Sequence, residues 1–362
     1  MNIRIRHKKT TLFTFIALLL VAALTSLYCW WNTNVWGDDA FCEGTLSLGD
    51  VQAALDAPGR VSQVFSQTAT GRSEFNCAVE RSSRFIGQDN LRMRMKTGTA
   101  EGAFPFTTAA WKNPAARSYF ARGSVSDTSG YVILPRSCWD KVGNIQGSRT
   151  ITPGPGTVAI VEASVEGGPT HRRSLARLLT HTAQKVAEAA GCSDDELGEP
   201  ATLFAPDVPR TAVPHNLCGL KGFSLPEAAL AEGVAEPGQE QLNEAPHTWA
   251  CDVDLDGTDN ARVSFTATTD NTILDAALRE GKAFKKLPGA SGTAIGTNEA
   301  ILQCAEGKVY FAANWSSEYE SVLLNQTRNH QPSYSEVRRS TFQNFLDAGA
   351  ASRNCPQVSM PQ

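Results

Sequence analysis

Phe75-Asn76-Cys77-Ala78-Val79 and Trp249-Ala250-Cys251-Asp252-Val253 are one phrase written twice: an aromatic residue, a cysteine two places on, and a valine two beyond that. Alternate residues are apolar, the period of a β-strand with one face in a core. Each cysteine should therefore point inward, and the residues between, Asp252 among them, toward water. A turn and a second alternating stretch follow each phrase, Leu91 to Met95 and Ala261 to Phe265, which makes each pair a hairpin.

These two cysteines belong to two sets of four. The first is Cys42, Cys77, Cys138 and Cys192, with gaps of 35, 61 and 54 residues; the second is Cys218, Cys251, Cys304 and Cys355, with gaps of 33, 53 and 51. Gaps so alike in order and size read as one module repeated. Each copy has a helix-start signal after its first cysteine: Ser47-Leu48-Gly49-Asp50 ahead of Val51, Ala54 and Leu55, and Ser224-Leu225-Pro226-Glu227 ahead of Ala228, Ala229 and Leu230. A serine N-cap with an acid three places on is a capping-box arrangement. Beyond a variable excursion a second strand pair is expected, Tyr131 to Cys138 with Thr157 to Val165, and Ala300 to Cys304 with Lys308 to Trp315. Both copies close with an amphipathic helix ahead of a cysteine. Leu175, Leu178, Leu179, Ala183 and Val186 mark the first, with Gly191 as its C-cap, and Val337, Phe342, Phe345 and Leu346 mark the second.

Four cysteines allow three pairings, and the sequence by itself does not choose among them. The order of elements does: if a strand runs up to Cys138, its partner down and the closing helix up again, Cys192 ends beside Cys138. Likewise Cys355 ends beside Cys304, and elimination pairs Cys42 with Cys77 and Cys218 with Cys251. Zinc ligation is the rival reading, but the chain has no C-x-x-C pair.

The chain opens with Arg4, Arg6, Lys8 and Lys9 and runs on from Leu12 to Trp31 with only Thr14, Thr25 and Ser26 interrupting apolar or aromatic side chains. That stretch is longer than the apolar region of a cleaved signal peptide, lacks a clean A-x-A site, and ends in Tyr28, Trp30 and Trp31, an interfacial aromatic belt; it reads as an uncleaved anchor. Tyr28 is too bulky for Cys29 to follow as a lipoprotein site. Basic residues on the N-terminal side keep that end in the cytoplasm and send the rest outward, where disulfides persist. Beyond the anchor, 29 basic residues face 37 acidic ones, which argues against a nucleic-acid partner. The expected layout is a basic cytoplasmic tail over 1–11, a single-pass plasma-membrane anchor over 12–31, a stalk over 32–40, an extracytoplasmic module over 41–192, a solvated acidic and proline-rich linker over 193–214, and a second module over 215–357. The fold class is α+β: an N-terminal transmembrane helix, then two tandem disulfide-stapled modules, each an antiparallel sheet with flanking helices.

This alanine-, glycine- and threonine-rich, lysine-poor composition, together with a single anchor and paired-cysteine modules, resembles membrane-anchored cell-envelope proteins of actinobacteria. The element order is also similar to the PsbP/Mog1-like α/β sandwich. The resemblance implies a binding or assembly role and transfers no functional residue.

Residues able to do chemistry are few. Asp252, Asp254 and Asp256, followed by Gly257, match the D-x-D-x-D-G of a calcium loop, but position twelve is Val263 instead of glutamate, and acids on the wet face of a strand explain the run more cheaply. Lys96-Thr97-Gly98 resembles a motif of penicillin-recognising enzymes without the S-x-x-K that must accompany it. Gly289-Ala290-Ser291-Gly292 is neither a nucleophile elbow nor a phosphate loop. His171, His181, His215, His247 and His330 form no H-E-x-x-H, and His171 sits at a helix start. Arg172-Arg173 and Arg338-Arg339 fall at like places in the closing helices, either as helix-face charge or as a shared anion contact. Trp111, Tyr119, Trp315, Tyr319 and Tyr334 either line a groove for a glycan or peptide or anchor loops. A ligand site is expected in the excursion between Thr97 and Tyr131 or between the modules. The sequence thus predicts a non-enzymatic, membrane-anchored binding or assembly protein of the envelope, without cofactor, whose partner is an envelope protein or wall component. The alternative is an envelope hydrolase built from dispersed residues.

Overall fold

The computed structural model describes residues 3–361 apart from 57–58, 70–72, 84–89, 102–112, 148, 155, 231–236, 256–260, 280–284, 288–290 and 329–331. Helix α1 (Ile3–Asn32) is apolar from Phe13 onward, with a mean hydropathy of 2.0 over its most apolar window, and its side chains from Phe13 to Tyr28 are exposed. Twenty such residues reach across about 30 Å of hydrocarbon, the length of a membrane anchor or a signal segment.

The rest is α+β with antiparallel sheets. In the N-terminal half, α2 (Leu48–Leu55) precedes strands β1 (Arg60–Thr68), β2 (Phe75–Ser82), β3 (Leu91–Glu101), β4 (Ser118–Phe120), β5 (Gly123–Val125), β6 (Ser129–Ile133) and β7 (Thr157–Glu166), and α3 (Arg172–Ala189) closes it. The sheet runs β1-β2-β3-β7-β6-β5-β4. In the C-terminal half follow β8 (Arg210–Thr211), β9 (Gln239–Glu244), β10 (Thr248–Asp254), β11 (Arg262–Thr268), α4 (Asn271–Arg279), β12 (Lys285–Lys286), β13 (Gly292–Ala294), β14 (Glu299–Cys304), β15 (Gly307–Trp315), α5 (Ser317–Thr327) and α6 (Tyr334–Ser352). That sheet runs β8-β9-β10-β11-β15-β14-β13-β12.

Local chemistry explains the helix boundaries. The Ser47 hydroxyl accepts the Asp50 N–H at 3.2 Å and starts α2, and Ser333 with Glu336 forms a complete capping box on α6. Gly191, at φ +61°, ends α3, and the Cys192 N–H turns back to the Ala187 carbonyl at 2.9 Å. In α3, Leu175, Leu178, Leu179, Ala183 and Val186 are buried, as their spacing predicts. A Cβ on Gly130 of β6 would lie 2.6 Å from the Leu179 side chain, so glycine there lets α3 approach the sheet. The disulfides are Cys42–Cys77, Cys138–Cys192, Cys218–Cys251 and Cys304–Cys355, the pairing that the element order predicts. Each is worth roughly 2–4 kcal/mol, mainly by restricting the unfolded chain. Cys29 is free.

Three local expectations are corrected. The helix expected after Ser224 is a single 3-10 turn, Glu227–Ala229, with Leu230 already extended; the Tyr319 hydroxyl takes the Ala229 carbonyl that a longer helix would use. The strand expected from Tyr131 to Cys138 stops at Ile133, because Pro135 has no N–H for a ladder, and Cys138 lies on a 3-10 turn. Strands β2 and β10 are buried on both faces, so Asp252 is only 3% exposed where alternation placed it in water. Strands β1 and β9 have no counterpart in the expected layout. β1 breaks its own alternation with a bulge between Gln63 and Phe65.

Two cores result. α2 and α3 cover the N-terminal sheet, and α5 and α6 the C-terminal one. In the second core Phe345 sits among Phe265, Trp249, Phe223, Phe311 and Phe342, with ring centroids 4.9–6.2 Å apart. Phe345→Ala should therefore cost about 3–5 kcal/mol, and Phe345→Leu distinctly less. Urea unfolding followed by tryptophan fluorescence checks both.

Candidate functional site

The two halves meet through segments that each sends onto the other. From the N-terminal half, the 3-10 turn Pro114–Ala116 lies on β9 and β10. The Ala115 N–H donates to Asp252 Oδ2 at 3.2 Å, and Asn243 Nδ2 donates to the Arg117 carbonyl at 2.5 Å. From the C-terminal half, α4 turns Ile273, Leu274, Ala276 and Ala277 into the core that holds Val158, Ile160 and Ile133, together with Ile301 and Tyr310 from β14 and β15. Its middle is tied by Arg136 to Asp275 at 2.9 Å and its last residue by an ion pair of Arg279 with Asp140. The stretch 193–214 is extended and mostly exposed, yet tied to both halves: Phe204 exchanges backbone hydrogen bonds with Tyr119, and β8 caps the edge of β9.

Beside this joint a cleft of about 240 Å³ opens, lined by Tyr119, Phe120, Tyr131, Phe204, His247, Ile273, Arg122 and Asp270. Arg122, at φ +63°, donates from Nε to the Ile133 carbonyl at 3.2 Å and from Nη2 to the Leu134 carbonyl at 3.1 Å, and pairs with Glu196. Asp270 Oδ1 accepts the Thr272 N–H at 2.7 Å and so begins α4. Behind the wall, buried Arg117 bonds Ser124 Oγ at 2.6 Å and Ser129 Oγ at 3.2 Å, with its guanidinium 5.5 Å from the Tyr131 ring centre. Burial lowers the pKa of Arg117 and raises those of Tyr119 and Tyr131. The cleft thus offers aromatic walls, with Arg122 and Asp270 engaged by backbone groups and by Glu196.

A second cluster joins α2, α3 and the connecting stretch. His181 Nδ1 meets Asp50 Oδ2 at 2.9 Å, and its Nε2 meets Glu199. Burial opposes protonation of His181, but hydrogen bonds to both acids and their charges outweigh it and raise its pKa.

The residues singled out by sequence are scattered. Tyr119 and His247 line the cleft. Asp252 is taken by Ser264 Oγ at 2.6 Å and the Ala115 N–H, and Asp254 by Arg262 at 2.5 and 3.2 Å; Asp256 lies outside the described residues, among which no group of His, Cys, Asp or Glu forms a metal site. Arg172 pairs with Asp127 and Arg338 with Glu320. Tyr319 is core, and Trp315 lies under Arg338 at 4.4 Å. Tyr334 donates to Glu320 at 2.8 Å. His171 caps α3, and Lys96 pairs with Glu162 on the sheet. Trp111, Gly289, Ala290 and His330 lie outside the described residues. Arg117, Arg122, Phe204 and Asp270 went unnoticed in the sequence. Phe204 alone carried a signal, as the single aromatic residue in a polar, proline-rich stretch.

No protein family, curated protein or solved structure matches this chain.

Burial, the largest influence, pushes the Asp252 carboxyl up to about 6 from 3.8, against Ser264, Arg262 and the Ala115 N–H. The folded state therefore holds this proton more tightly than the unfolded chain does. The stabilisation is complete below about pH 3.8 and is lost as pH rises through about 6, by roughly 3 kcal/mol at most. Asp252→Asn should remove that fall, seen as a wild-type-minus-variant difference in unfolding free energy across pH 4–7.

Proposed function

We propose that this chain is a single-pass envelope protein, anchored by α1 with its N-terminus in the cytoplasm, whose two extracytoplasmic halves are copies of one module and together bind a partner rather than turn over a substrate. Three features support the duplication. The cysteine spacings agree, the disulfides join like elements, and β1-β2-β3-β7-β6-β5-β4 visits its sheet in the same order as β9-β10-β11-β15-β14-β13-β12. Disulfides favour an oxidising compartment, and the basic tail before α1 favours the stated orientation.

The observation that carries the binding reading is the cleft between the halves. Its walls are aromatic, and the hydrogen bonds of Arg122 and Asp270 go to backbone and to Glu196. Aromatic walls with few polar groups suit recognition of a peptide or glycan segment. The partner is accordingly an envelope protein or a wall component.

A photo-reactive residue placed at Ala121, on the exposed rim of the cleft, should give one discrete adduct in intact cells. The same group at Val208, 84% exposed on the connecting stretch, should not give it. Equal labelling from both positions, or no adduct from Ala121, removes the binding reading.

A further inference from the structure

We infer that the extracytoplasmic body is clamped to its anchor rather than tethered by a flexible stalk, and that the resulting corner, Trp30, Val35, Trp36 and Arg60, rests in the headgroup layer of the outer leaflet. The expected stalk over 32–40 is folded against the N-terminal sheet. Asn32, the last residue of α1, is 5% exposed, and its Oδ1 accepts the Ser83 hydroxyl at 2.7 Å. Asn34 acts as a short piece of ladder on the free edge of β1: its Oδ1 accepts the Val61 N–H at 2.7 Å, and its Nδ2 donates to the Gly59 carbonyl at 3.3 Å. Arg60, the first residue of β1, donates to the Trp30 carbonyl at 3.0 Å and to the Trp36 carbonyl at 3.4 Å, with its guanidinium 4.9 Å from the centre of the Trp30 ring.

These contacts fix the level of the sheet edge, given the reading of α1 as a membrane anchor on which the inference rests. With the apolar run inside the hydrocarbon, the last turn of α1 lies at the boundary with water, the layer that tryptophan and arginine prefer. Arg60 touches that turn, so the start of β1 shares its depth. Val35 and Trp36 lie in a turn closed by the Gly37 N–H on the Asn34 carbonyl at 3.0 Å, yet are 71% and 52% exposed. Adjacent apolar side chains this exposed, continuous with a spanning helix, are covered by lipid. Asp38 and Asp39 follow at once and mark the return to water. The ring centres of Trp30 and Trp36 lie 6.2 Å apart across the corner.

The test uses the full chain with Cys29→Ser and Val35→Cys, nitroxide-labelled and reconstituted in phosphatidylcholine–phosphatidylglycerol vesicles. A matched protein carries the label at Val208→Cys. Collision with an aqueous nickel chelate should be several-fold weaker at position 35 than at 208, and the label at 35 should be immobilised. Arg60→Gln should raise nickel access at 35 toward that at 208, while Arg60→Lys, which keeps the charge but not the two-carbonyl fork, should fall between. Retention in the membrane after alkaline carbonate with a freely water-exposed label at 35 overturns the clamp and leaves the anchor standing. Release by carbonate overturns the anchor and the clamp together.

Discussion

Strand β10 has no wet face, and much of the molecule follows from that. One side sends Trp249, Cys251 and Val253 into the core around Phe345; the other sends Ala250 and Asp252 against the N-terminal half. A strand buried on both faces must satisfy every polar group from within the protein. Asp252 does so with Ser264 and with a backbone N–H supplied from 137 residues away. The joint between the halves is thereby a specific hydrogen-bonded contact as well as an apolar one.

The exchange of segments across the joint adds to this. Pro114–Ala116 follows β3 and lies on the C-terminal half, while α4 follows β11 and packs against β7 of the N-terminal sheet as well as β15 of its own. Such an exchange makes each half incomplete alone: removing α4 strips Ile273, Leu274 and Ala277 from a core shared with the N-terminal sheet. The disulfides act at another level. All four close loops within a half and none crosses the joint, so they raise the stability of each half and leave their association to packing, ion pairs and the Asp252 contact.

How much of this was legible varies with the range of the forces involved. Helix caps at Ser47 and Gly191 are set by neighbours a few residues away, and their signals stand in the sequence. The inward phase of Cys77 and Cys251 follows from a two-residue period and held. The outward phase of Asp252 did not, since periodicity assigns one face to the core but is silent on whether something else covers the other. The helix expected after Ser224 failed for a related reason, as Tyr319 arrives from 90 residues away to claim a helical carbonyl. The lining of the cleft was not legible as a set, because Tyr119 and Arg122 come from the excursion and Phe204, His247 and Asp270 from other stretches, and no spacing connects them.

The sequence by itself determined the apolar N-terminal helix, the α+β class, the repeated cysteine pattern and, through the order of elements, which cysteines pair. All of these depend on local period, composition and chain direction. Only the tertiary structure decided that Asp252 is buried at the joint instead of facing solvent, that the connecting stretch straps both halves, that Asn34 folds onto the sheet edge, and which side chains line the cleft. Those outcomes depend on which surface comes to cover another, and that is set by contacts between residues far apart in the chain.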